Sequence, residues 1–249
     1  MKAARPLRVV LCGVGGKMGR AILEALVQEK GLTLGAALEI GDDVKDGLSK
    51  GDVVIDFTTA KSSLSILQEA VSQKRPIVIG TTGFTEAEKE EITAASNAIA
   101  IVFSPNMSVG VNVVFKLLAD ATRALGDAYD IEIVEMHHRH KKDAPSGTAL
   151  RMGEAITQAR GTTLSEVGRF ERHGDIGARS LGEIGIQSLR GGDVVGDHRV
   201  IFAGPGERVE IIHQAHNRDN FARGSLIAAQ WVMNQPPGIY DMMDVLDLK

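Results

Sequence analysis

Short apolar runs alternate with amphipathic stretches over the first hundred or so residues. Apolar runs of this length predict buried strands, and apolar residues that recur every three or four positions predict helices. The predicted strands are Leu7 to Cys12, Thr33 to Glu39, Asp52 to Phe57, Pro76 to Gly80 and Ile99 to Phe103, and the predicted helices are Lys17 to Lys30, Ser62 to Gln73 and Glu86 to Asn97. In the first helix we expect Ile22, Leu23, Leu26 and Val27 to face inward. The alternation predicts a parallel sheet covered by helices.

The pattern changes after the segment SPNMSVG, residues 104–110. Beyond it we expect the helices Val111 to Leu125 and Thr148 to Arg160 and the strands Tyr129 to Met136, Glu183 to Arg190, Arg199 to Gly204 and Arg208 to Ala215. A Gly-Pro-Gly turn joins the last two strands and favours an antiparallel pair. The helix that begins near Asp219 would pack best on the first domain. We therefore predict one domain from residues 1–108 and 218–249, and a second domain, residues 109–217, inserted into it.

A glycine-rich turn lies between the first strand and the first helix. Residues 13–19 read GVGGKMG, with glycines at 13, 15, 16 and 19, although the third glycine of a strict G-x-G-x-x-G would fall on Met18. Such a turn lets the backbone approach a pyrophosphate at a helix N-terminus. Glu39 follows at the end of the second strand, where an acid can bind ribose hydroxyls. This arrangement predicts a dinucleotide site, with a flavin site or an empty turn as the alternatives.

Two further strand ends carry small or polar residues, Phe57-Thr58-Thr59 and Gly80-Thr81-Thr82-Gly83. Ligands of open parallel sheets bind beyond the carboxyl ends of the strands. Either segment alone could be ordinary turn chemistry. Beside the glycine turn, the pair favours contact with a cofactor.

The segment EIVEMHHRHKKDAPSGTAL, residues 132–150, is the richest in functional groups. Ser146 is a candidate N-cap for the helix that follows. The amides of Gly147 and Thr148 would then form an anion site, and Lys141 could add a charge-assisted hydrogen bond to a carboxylate. An adjacent histidine could supply a proton donor.

Three other interpretations of this segment are weaker. A run of charges is often only a solvated loop. His137, His138 and His140 could bind zinc, but no cysteine or closely spaced set of carboxylates completes a site, so we predict no metal. A nucleic-acid patch conflicts with the net charge of −4 and with the lack of aromatic residues in the segment.

Composition narrows the class of protein. The net charge of −4 offers no general attraction to nucleic acid or to an anionic membrane. Cys12 is the only cysteine, which fits a reducing compartment. The sequence contains neither an apolar run of membrane-spanning length nor a signal-peptide pattern near its start. We therefore expect a cytoplasmic protein that binds neither nucleic acid nor membrane.

The histidine-rich segment also resembles a family signature. The pattern E-[IV]-x-E-x-H-H-x-x-K-x-D-x-P-S-G-T-A is similar to that of the dihydrodipicolinate reductases, also named 4-hydroxy-tetrahydrodipicolinate reductases. It is matched at Glu132, Glu135, His137, His138, Lys141, Asp143, Pro145, Ser146, Gly147, Thr148 and Ala149. The resemblance extends over nearly the whole chain through GVGGKMGR, VVIDFT, VIGTTGF, SPNMSVGVN, GERVEI and DMMDVLDL.

The resemblance implies a fold, a reaction and a set of site residues. The fold would be α/β, with a Rossmann-type dinucleotide-binding domain and an inserted α+β domain whose mixed, largely antiparallel sheet binds substrate and assembles a homotetramer. The reaction would be the reduction of a small cyclic dicarboxylate by NADH or NADPH in the diaminopimelate route to lysine. His137 would be the acid/base residue and Lys141 would stabilise the reaction, and His138, Lys141, Gly147 and Thr148 would bind substrate. The cofactor would contact Gly13, Val14, Gly15, Gly16, Lys17, Met18, Glu39, Gly80, Thr81, Thr82, Ser104, Pro105, Asn106 and Met107.

The chain departs from its relatives at two places. Many of them follow the ribose-binding acid with arginine, which can pair with a 2′-phosphate, whereas this chain has Ile40. The stretch from Gly41 to Gly51 is also short, so an extra strand or loop common in the family would be missing. Because Glu39 repels a 2′-phosphate, we expect NADH to serve at least as well as NADPH, with Lys17 and Lys45 the nearby cations.

The local pattern leaves one question and two rival functions. On a regular strand His137 and His138 would face opposite sides, so both can reach a substrate only if the strand has already broken there. One rival is another Rossmann-type reductase of an imine or keto dicarboxylate. The other is a redox sensor that binds a dinucleotide without catalysis and needs neither Lys141 nor His137.

Overall fold

A computed structural model describes residues 5–249. The chain divides into two compact units: one contains the residues up to Val109 together with Arg218–Lys249, and the other is Gly110–Asn217. Within residues 5–249, no helix is both long enough and apolar enough to cross a bilayer.

The described residues form eleven strands and nine helices. The strands are β1 (Leu7–Cys12), β2 (Leu32–Leu38), β3 (Val53–Asp56), β4 (Ile77–Ile79), β5 (Ala100–Phe103), β6 (Asp130–His137), β7 (Gly168–Arg169), β8 (Ile184–Arg190), β9 (Gly196–Gly204), β10 (Glu207–Ala215) and β11 (Gly238–Tyr240). The helices are α1 (Lys17–Gln28), α2 (Val44–Ser49), α3 (Ala60–Ser72), α4 (Glu86–Ala95), α5 (Val109–Leu125), α6 (Gly147–Arg160), α7 (Leu164–Val167), α8 (Asp219–Val232) and α9 (Met242–Val245), with a 3₁₀ turn at Gly126–Ala128.

The first unit is built on a parallel sheet of six strands in the order β11-β5-β4-β3-β1-β2. β1 connects to β2 on one side and β3 lies on its other side, so the strand order reverses at β1. Open sheets of this type bind ligands in the crevice outside the strand ends at such a reversal. The predicted dinucleotide-binding architecture is confirmed.

Helices cover both faces of this sheet. On one face, α1 and α8 bury Ile22, Leu26, Leu226 and Val232 against the sheet, together with Met242 of α9. On the other face, α2, α3 and α4 contribute an apolar cluster that includes Leu48, Ile66, Leu67, Ala70 and Ile92. Because both faces are covered, the central strands are buried at successive positions, as in Val53–Asp56 and Ile77–Ile79, rather than at alternate ones.

One packing prediction is wrong. Val27 does not face inward and is 81% exposed, whereas Ile22 and Leu26 are buried. The buried positions of α1 follow the spacing of Gly19, Ile22 and Leu26, and a residue one step after Leu26 points about 100° away from that stripe.

The short elements α2 and β11 were not predicted, because runs of six and three residues carry too little periodicity.

The second unit contains a mixed sheet in the order β10-β9-β6-β8-β7. β9 pairs antiparallel with both β10 and β6, while β8 pairs parallel with β6 and β7. The antiparallel turn between β9 and β10 is confirmed, with Gly206 at φ +83°. The sheet is mixed, as predicted: two of its four strand pairings are antiparallel and two are parallel.

Only one face of the mixed sheet has a helical cover within this unit. Helices α5 and α6 pack there, and the shared core includes Leu118, Ile133, Met152, Ile156 and Phe202. The opposite face carries half-buried and exposed side chains, so β6 and β9 alternate between buried and more exposed positions.

Candidate functional site

The segments predicted to bind the cofactor all follow the carboxyl end of a strand in the parallel sheet. The glycine turn follows β1, Glu39 follows β2, Phe57 to Thr59 follow β3, Gly80 to Thr82 follow β4, and Ser104 to Met107 follow β5. Because the strands are parallel, these five segments share one edge of the sheet. The sheet thus gathers them at the reversal point where a dinucleotide is expected.

The glycine turn allows two close backbone approaches. A Cβ on Gly13 would lie 2.3 Å from the carbonyl oxygen of Phe57, and Gly13 has φ +85°. A Cβ on Gly19 would lie 2.2 Å from the carbonyl oxygen of Gly13. Glycine is required at both positions, because a Cβ at Gly13 would collide with the loop after β3 and a Cβ at Gly19 would push α1 away from the turn. Lys17 is the exposed first residue of α1, Met18 is partly buried, and Gly16 caps the helix without a side-chain bond.

Glu39 lies over the glycine turn. Its carboxylate accepts a hydrogen bond from the Gly15 amide, and a Cβ on Gly15 would come within 2.8 Å of the Glu39 Oε1 atom. The Glu39 amide donates to Asp42 at 2.8 Å, which adds a second carboxylate to this corner. Ile40 is 94% exposed and supplies no charge. The surroundings of Glu39 are therefore acidic and polar.

A buried carboxylate links the loops after β3 and β4. Asp56 has no exposed surface and accepts hydrogen bonds from the hydroxyls of Thr58 at 2.6 Å, Thr81 at 3.0 Å and Ser63. The Thr81 hydroxyl in turn accepts from the Thr58 amide at 2.9 Å. Burial raises the pKa of Asp56 to about 6, against the lowering effect of these hydrogen bonds. Thr81, predicted to bind cofactor, therefore turns its hydroxyl inward, whereas Thr82 is exposed.

We expect Asp56→Asn to change how stability depends on pH. Because the folded-state pKa is raised from 3.8 to about 6, the native Asp56 holds its proton longer than the unfolded one does. Its contribution to the free energy of unfolding therefore falls as pH rises from about 4 to about 6, by at most about 3 kcal/mol. Urea unfolding of both proteins at several pH values should show the free energy of unfolding of the unsubstituted chain falling, relative to that of Asp56→Asn, over that interval.

The fully exposed Asp127, substituted by asparagine, provides the control, since its side chain is 97% exposed. For Asp127→Asn we expect a difference in the free energy of unfolding that does not change with pH. The same pH-independent difference for Asp56→Asn would contradict the prediction.

The segment after β5 is mostly anchored by its own side chains. Ser104 is buried and donates to the Asn106 carbonyl at 3.0 Å, and the Asn106 side chain accepts from the Ser108 amide at 2.9 Å. Met107 lies in the apolar core, and a Cβ on Gly224 of α8 would lie 1.7 Å from its carbonyl oxygen. Pro105 is exposed. A ligand at this edge would therefore meet chiefly the backbone of this segment.

In the second unit, β6 ends at His137, so His137 and His138 do not both lie on a regular strand. His137 is a buried position of the strand, and its Nδ1 atom lies 2.6 Å from the Glu135 Oε2 atom. Residues two apart on a strand share a face, which is why Glu135 and His137 meet. His138 lies beyond the strand, so the alternation of faces does not apply to it.

Glu135 is the centre of the hydrogen-bond network. It has no exposed surface and accepts from the Ser146 amide at 3.1 Å and from two guanidinium nitrogens of Arg190, each at 2.8 Å. Burial by itself would raise the pKa of Glu135, but hydrogen bonds from His137, Arg190 and Ser188 outweigh it and hold the pKa well below its usual range. The carboxylate is therefore ionised beside the His137 ring.

The predicted helix start is confirmed. Ser146 is the N-cap of α6 and its hydroxyl accepts from the Ala149 amide at 3.2 Å. The same hydroxyl lies 3.1 Å from His198 Nε2, and burial lowers the pKa of His198 to about 3, with His137 acting in the same direction. His198 is therefore neutral near pH 7. Gly147 is exposed and Thr148 half-buried at the first turn of the helix.

Lys141 lies in the loop between β6 and α6. Its ammonium is 2.8 Å from Asp143 Oδ2 and its side chain is 20% exposed. The hydrogen bond from Lys141 lowers the pKa of Asp143. The Ser146 amide joins the start of α6 to the His137–Glu135 pair, and Lys141 lies in the loop between them, where it is paired with Asp143.

Sequence reasoning assigned no role to three members of this network, Glu135, Arg190 and His198. Arg190 ends β8 and lies opposite His137 in the β6–β8 register. His198 lies opposite Glu135 on β9, and Gly196 leaves room beside His137, since a Cβ there would lie 2.9 Å from His137 Nε2. A signal existed only for Glu135, through its two-residue spacing from His137. Among residues 5–249, no group of three or more His, Cys, Asp or Glu side chains could hold a metal ion.

Both units match a known family. Residues 7–107 match the family described as "Dihydrodipicolinate reductase, N-terminus", and residues 110–246 match "Dihydrodipicolinate reductase, C-terminus". The chain belongs to the dihydrodipicolinate reductase family. The resemblance seen in the sequence is therefore confirmed over both units.

Curated relatives of this family cover the chain almost end to end. The 4-hydroxy-tetrahydrodipicolinate reductase of Syntrophus aciditrophicus is 48% identical, with 98% of this chain and 99% of the relative covered. The reductase of the same name from Geotalea uraniireducens is 46% identical, with 98% and 100% covered. The first alignment spans 266 columns against 249 residues here, so the relative has residues with no counterpart in this chain.

A solved member of the family has the same fold. The dipicolinate-bound dihydrodipicolinate reductase from Paenisporosarcina sp. TG-14 matches with a TM-score of 0.76 at 24% identity, over 96% of this chain and 98% of that one. At this identity the likeness establishes the fold, which agrees with the parallel sheet and the mixed sheet described above.

Proposed function

We propose that this chain reduces 4-hydroxy-tetrahydrodipicolinate to tetrahydrodipicolinate with NADH or NADPH, in the diaminopimelate route to lysine. The observation that carries the proposal is the 48% identity, over 98% of the chain, to a reductase of that name. The ionised Glu135 beside His137 at the start of α6 supports it, since a proton donor next to an anion site suits the reduction of a dicarboxylate.

The residues at the edge of the parallel sheet fit a nicotinamide dinucleotide. The glycine turn is shaped so that Cβ atoms at Gly13 and Gly19 would collide with backbone, as a cradle for a pyrophosphate requires. Gly13 to Met18 would hold the pyrophosphate, Glu39 a ribose, and the segments 80–82 and 104–107 the rest of the cofactor. When bound, the reduced nicotinamide supplies the hydride.

His137 supplies the proton in this proposal. With its Nδ1 atom held by Glu135, the other ring nitrogen is left to carry a proton and donate it to the anion that hydride addition creates. The proton later returns to His137 from solvent. The hydroxyl group of the substrate leaves as water in the overall conversion.

The substrate would be held through its carboxylates. Lys141 provides a compact positive charge, and the amides of Gly147 and Thr148 begin α6, where anions are favoured. His138 would complete the set of substrate contacts. The dipicolinate-bound relative supports a small cyclic dicarboxylate as ligand.

The assay is oxidation of reduced cofactor, followed by its absorbance, with and without the cyclic substrate. The proposal expects turnover only when both are present. Turnover with other imine or keto dicarboxylates but not with this substrate would favour a different reductase. Cofactor binding without turnover of any dicarboxylate would favour a redox sensor.

The charges around Glu39 determine the expected preference between NADH and NADPH. The Glu39 carboxylate, with Asp42 beside it, disfavours a 2′-phosphate, and Ile40 offers no compensating cation. We expect kcat/KM with NADH to equal or exceed that with NADPH at matched salt. Ile40→Arg should raise kcat/KM for NADPH by about tenfold or more, because it adds a charge-assisted contact to the phosphate.

The exposed Val27 on α1 provides the matched control, since Val27→Arg adds the same charge elsewhere on the first unit. It should leave the ratio of the two coenzymes unchanged. A clear preference of the unsubstituted chain for NADPH would defeat the prediction.

A homotetramer and a cytoplasmic location are part of the proposal. The uncovered face of the mixed sheet exposes apolar side chains, with Ile212 53% and Leu189 50% exposed, and apolar surface of this kind favours association. The single buried thiol of Cys12 fits a reducing compartment. Sedimentation equilibrium measures the assembly directly, and a monomer at micromolar concentration would exclude the tetramer.

A further inference from the structure

Arg190 contacts Glu135 from a neighbouring strand. It ends β8, opposite His137, and its guanidinium donates to both oxygens of Glu135, at 2.8 Å each. The same group donates to the Asp143 carbonyl at 2.6 Å. Its side chain is 21% exposed, while Glu135 has no exposed surface. The pair is thus a two-point ion pair at the rim of the core, with His137 bound to the same carboxylate.

The shared carboxylate sets up a competition. Glu135 attracts the positive charge of a protonated His137, and a buried carboxylate alone would hold that proton strongly. Arg190 places a permanent positive charge on the same carboxylate, with one guanidinium nitrogen on the oxygen that His137 contacts. This charge weakens the attraction between Glu135 and a protonated His137 and repels the second positive charge. Glu135 can then orient the ring without trapping its proton.

We propose that Arg190 is a positioning residue that loosens the hold of Glu135 on the His137 proton, so that His137 releases the proton more readily during the reaction. This inference rests on the proposed function for its catalytic meaning. Its physical content, the effect of the Arg190 charge on the protonation of His137, does not depend on which substrate is reduced.

The other charged and titratable groups around His137 do not take over this role. His198 faces the ring from β9 with centroids 5.2 Å apart, and it is neutral because its pKa is lowered to about 3. His213 lies behind His198 on β10, where burial lowers its pKa as well. In the loop after β6, Lys141 is paired with Asp143, and this pair carries no net charge.

The test compares Arg190→Met, which removes the charge but keeps the length, with Arg190→Lys, which keeps the charge but loses the two-point contact. Two readouts are needed: the pH dependence of kcat/KM, and the titration of the His137 ring in histidine-labelled protein by NMR, assigned with His137→Gln. The NMR titration needs no substrate and no turnover.

In Arg190→Met we expect the alkaline limb of the pH profile and the His137 titration to move up together by about one pH unit, with a several-fold loss of kcat. In Arg190→Lys both should move by less than about a third of that. Arg123→Met removes an exposed guanidinium paired with Asp120 on α5 and should leave both readouts unchanged.

Loss of Arg190 leaves a buried charge without its ion pair, so Arg190→Met could fail to fold. The variants Glu135→Gln and Glu135→Gln/Arg190→Met both lack the buried carboxylate and differ only in the Arg190 charge. His137 should titrate at a higher pH in the doubly substituted protein than in Glu135→Gln. An unmoved His137 titration in a folded protein that lacks the Arg190 charge overturns the inference. A shifted titration without turnover of the cyclic substrate by the unsubstituted chain would sink the proposed function and leave the inference standing.

Discussion

His137→Gln is expected to lower kcat by about 10²- to 10⁴-fold while KM changes no more than a few-fold. A positioned general acid acts mainly in the transition state, so its loss affects the chemical step more than substrate binding. Glutamine keeps a polar group near Glu135 but has no proton to give at neutral pH. Steady-state kinetics over a range of substrate concentrations separates the two parameters.

His140→Gln is the matched control. His140 lies three residues further along and is exposed, so the same chemical change there should alter kcat by less than about twofold. If the segment were only a solvated loop, the two substitutions would behave alike. Wild-type kcat in a folded His137→Gln protein would therefore remove His137 from the mechanism.

The sequence was sufficient to predict those parts of the molecule that local patterns determine. The turn at Gly13 follows from an apolar strand and a helix on either side of it, and the N-cap at Ser146 follows from the apolar face that begins at Ala149. The orientation of Glu135 and His137 also has a local origin, because side chains two residues apart share a face of a strand.

The parts that were missed depend on pairings between distant segments. Arg190 lies 55 residues from Glu135, and no periodicity within β8 indicates which acid its guanidinium will meet. His198 reaches Ser146 across 52 residues in the same way. The end of β6 at His137 was equally hidden, since a difference of one residue decides whether His138 belongs to the strand.

The spacing of apolar residues also did not predict which side chains in the last turn of a helix are buried. Val27 is apolar and lies next to the buried Leu26, yet it is exposed in the last turn of α1. A single residue shifts the direction of a helical side chain by about 100°, so the spacing of apolar residues does not define the edges of the buried stripe.

Lys141→Ala is expected to damage binding and catalysis together. The side chain is 20% exposed and lies in the loop that leads to the start of α6, where we propose that a substrate carboxylate binds. Its charge would face a dianionic substrate and also the negative charge that develops during reduction. Loss of one partner of a desolvated ion pair costs about 2–5 kcal/mol, which corresponds to more than a tenfold change in affinity or rate.

The expected pattern for Lys141→Ala is therefore a lower kcat, a higher KM and weaker inhibition by pyridine-2,6-dicarboxylate, each by about tenfold or more. Lys142→Ala, at the exposed neighbouring position, removes the same charge and should leave all three within about twofold. Lys141→Arg should recover little activity, because a planar guanidinium places its charge and donors differently from a compact ammonium.

In the present structure Lys141 is paired with Asp143, so a substrate carboxylate would have to share or replace that partner. Asp143→Asn should consequently tighten the inhibitor in the unsubstituted background but have no effect once Lys141 is alanine. Equal inhibitor affinity in the chain and in Lys141→Ala, with both folded, would show that the ammonium does not bind the dicarboxylate.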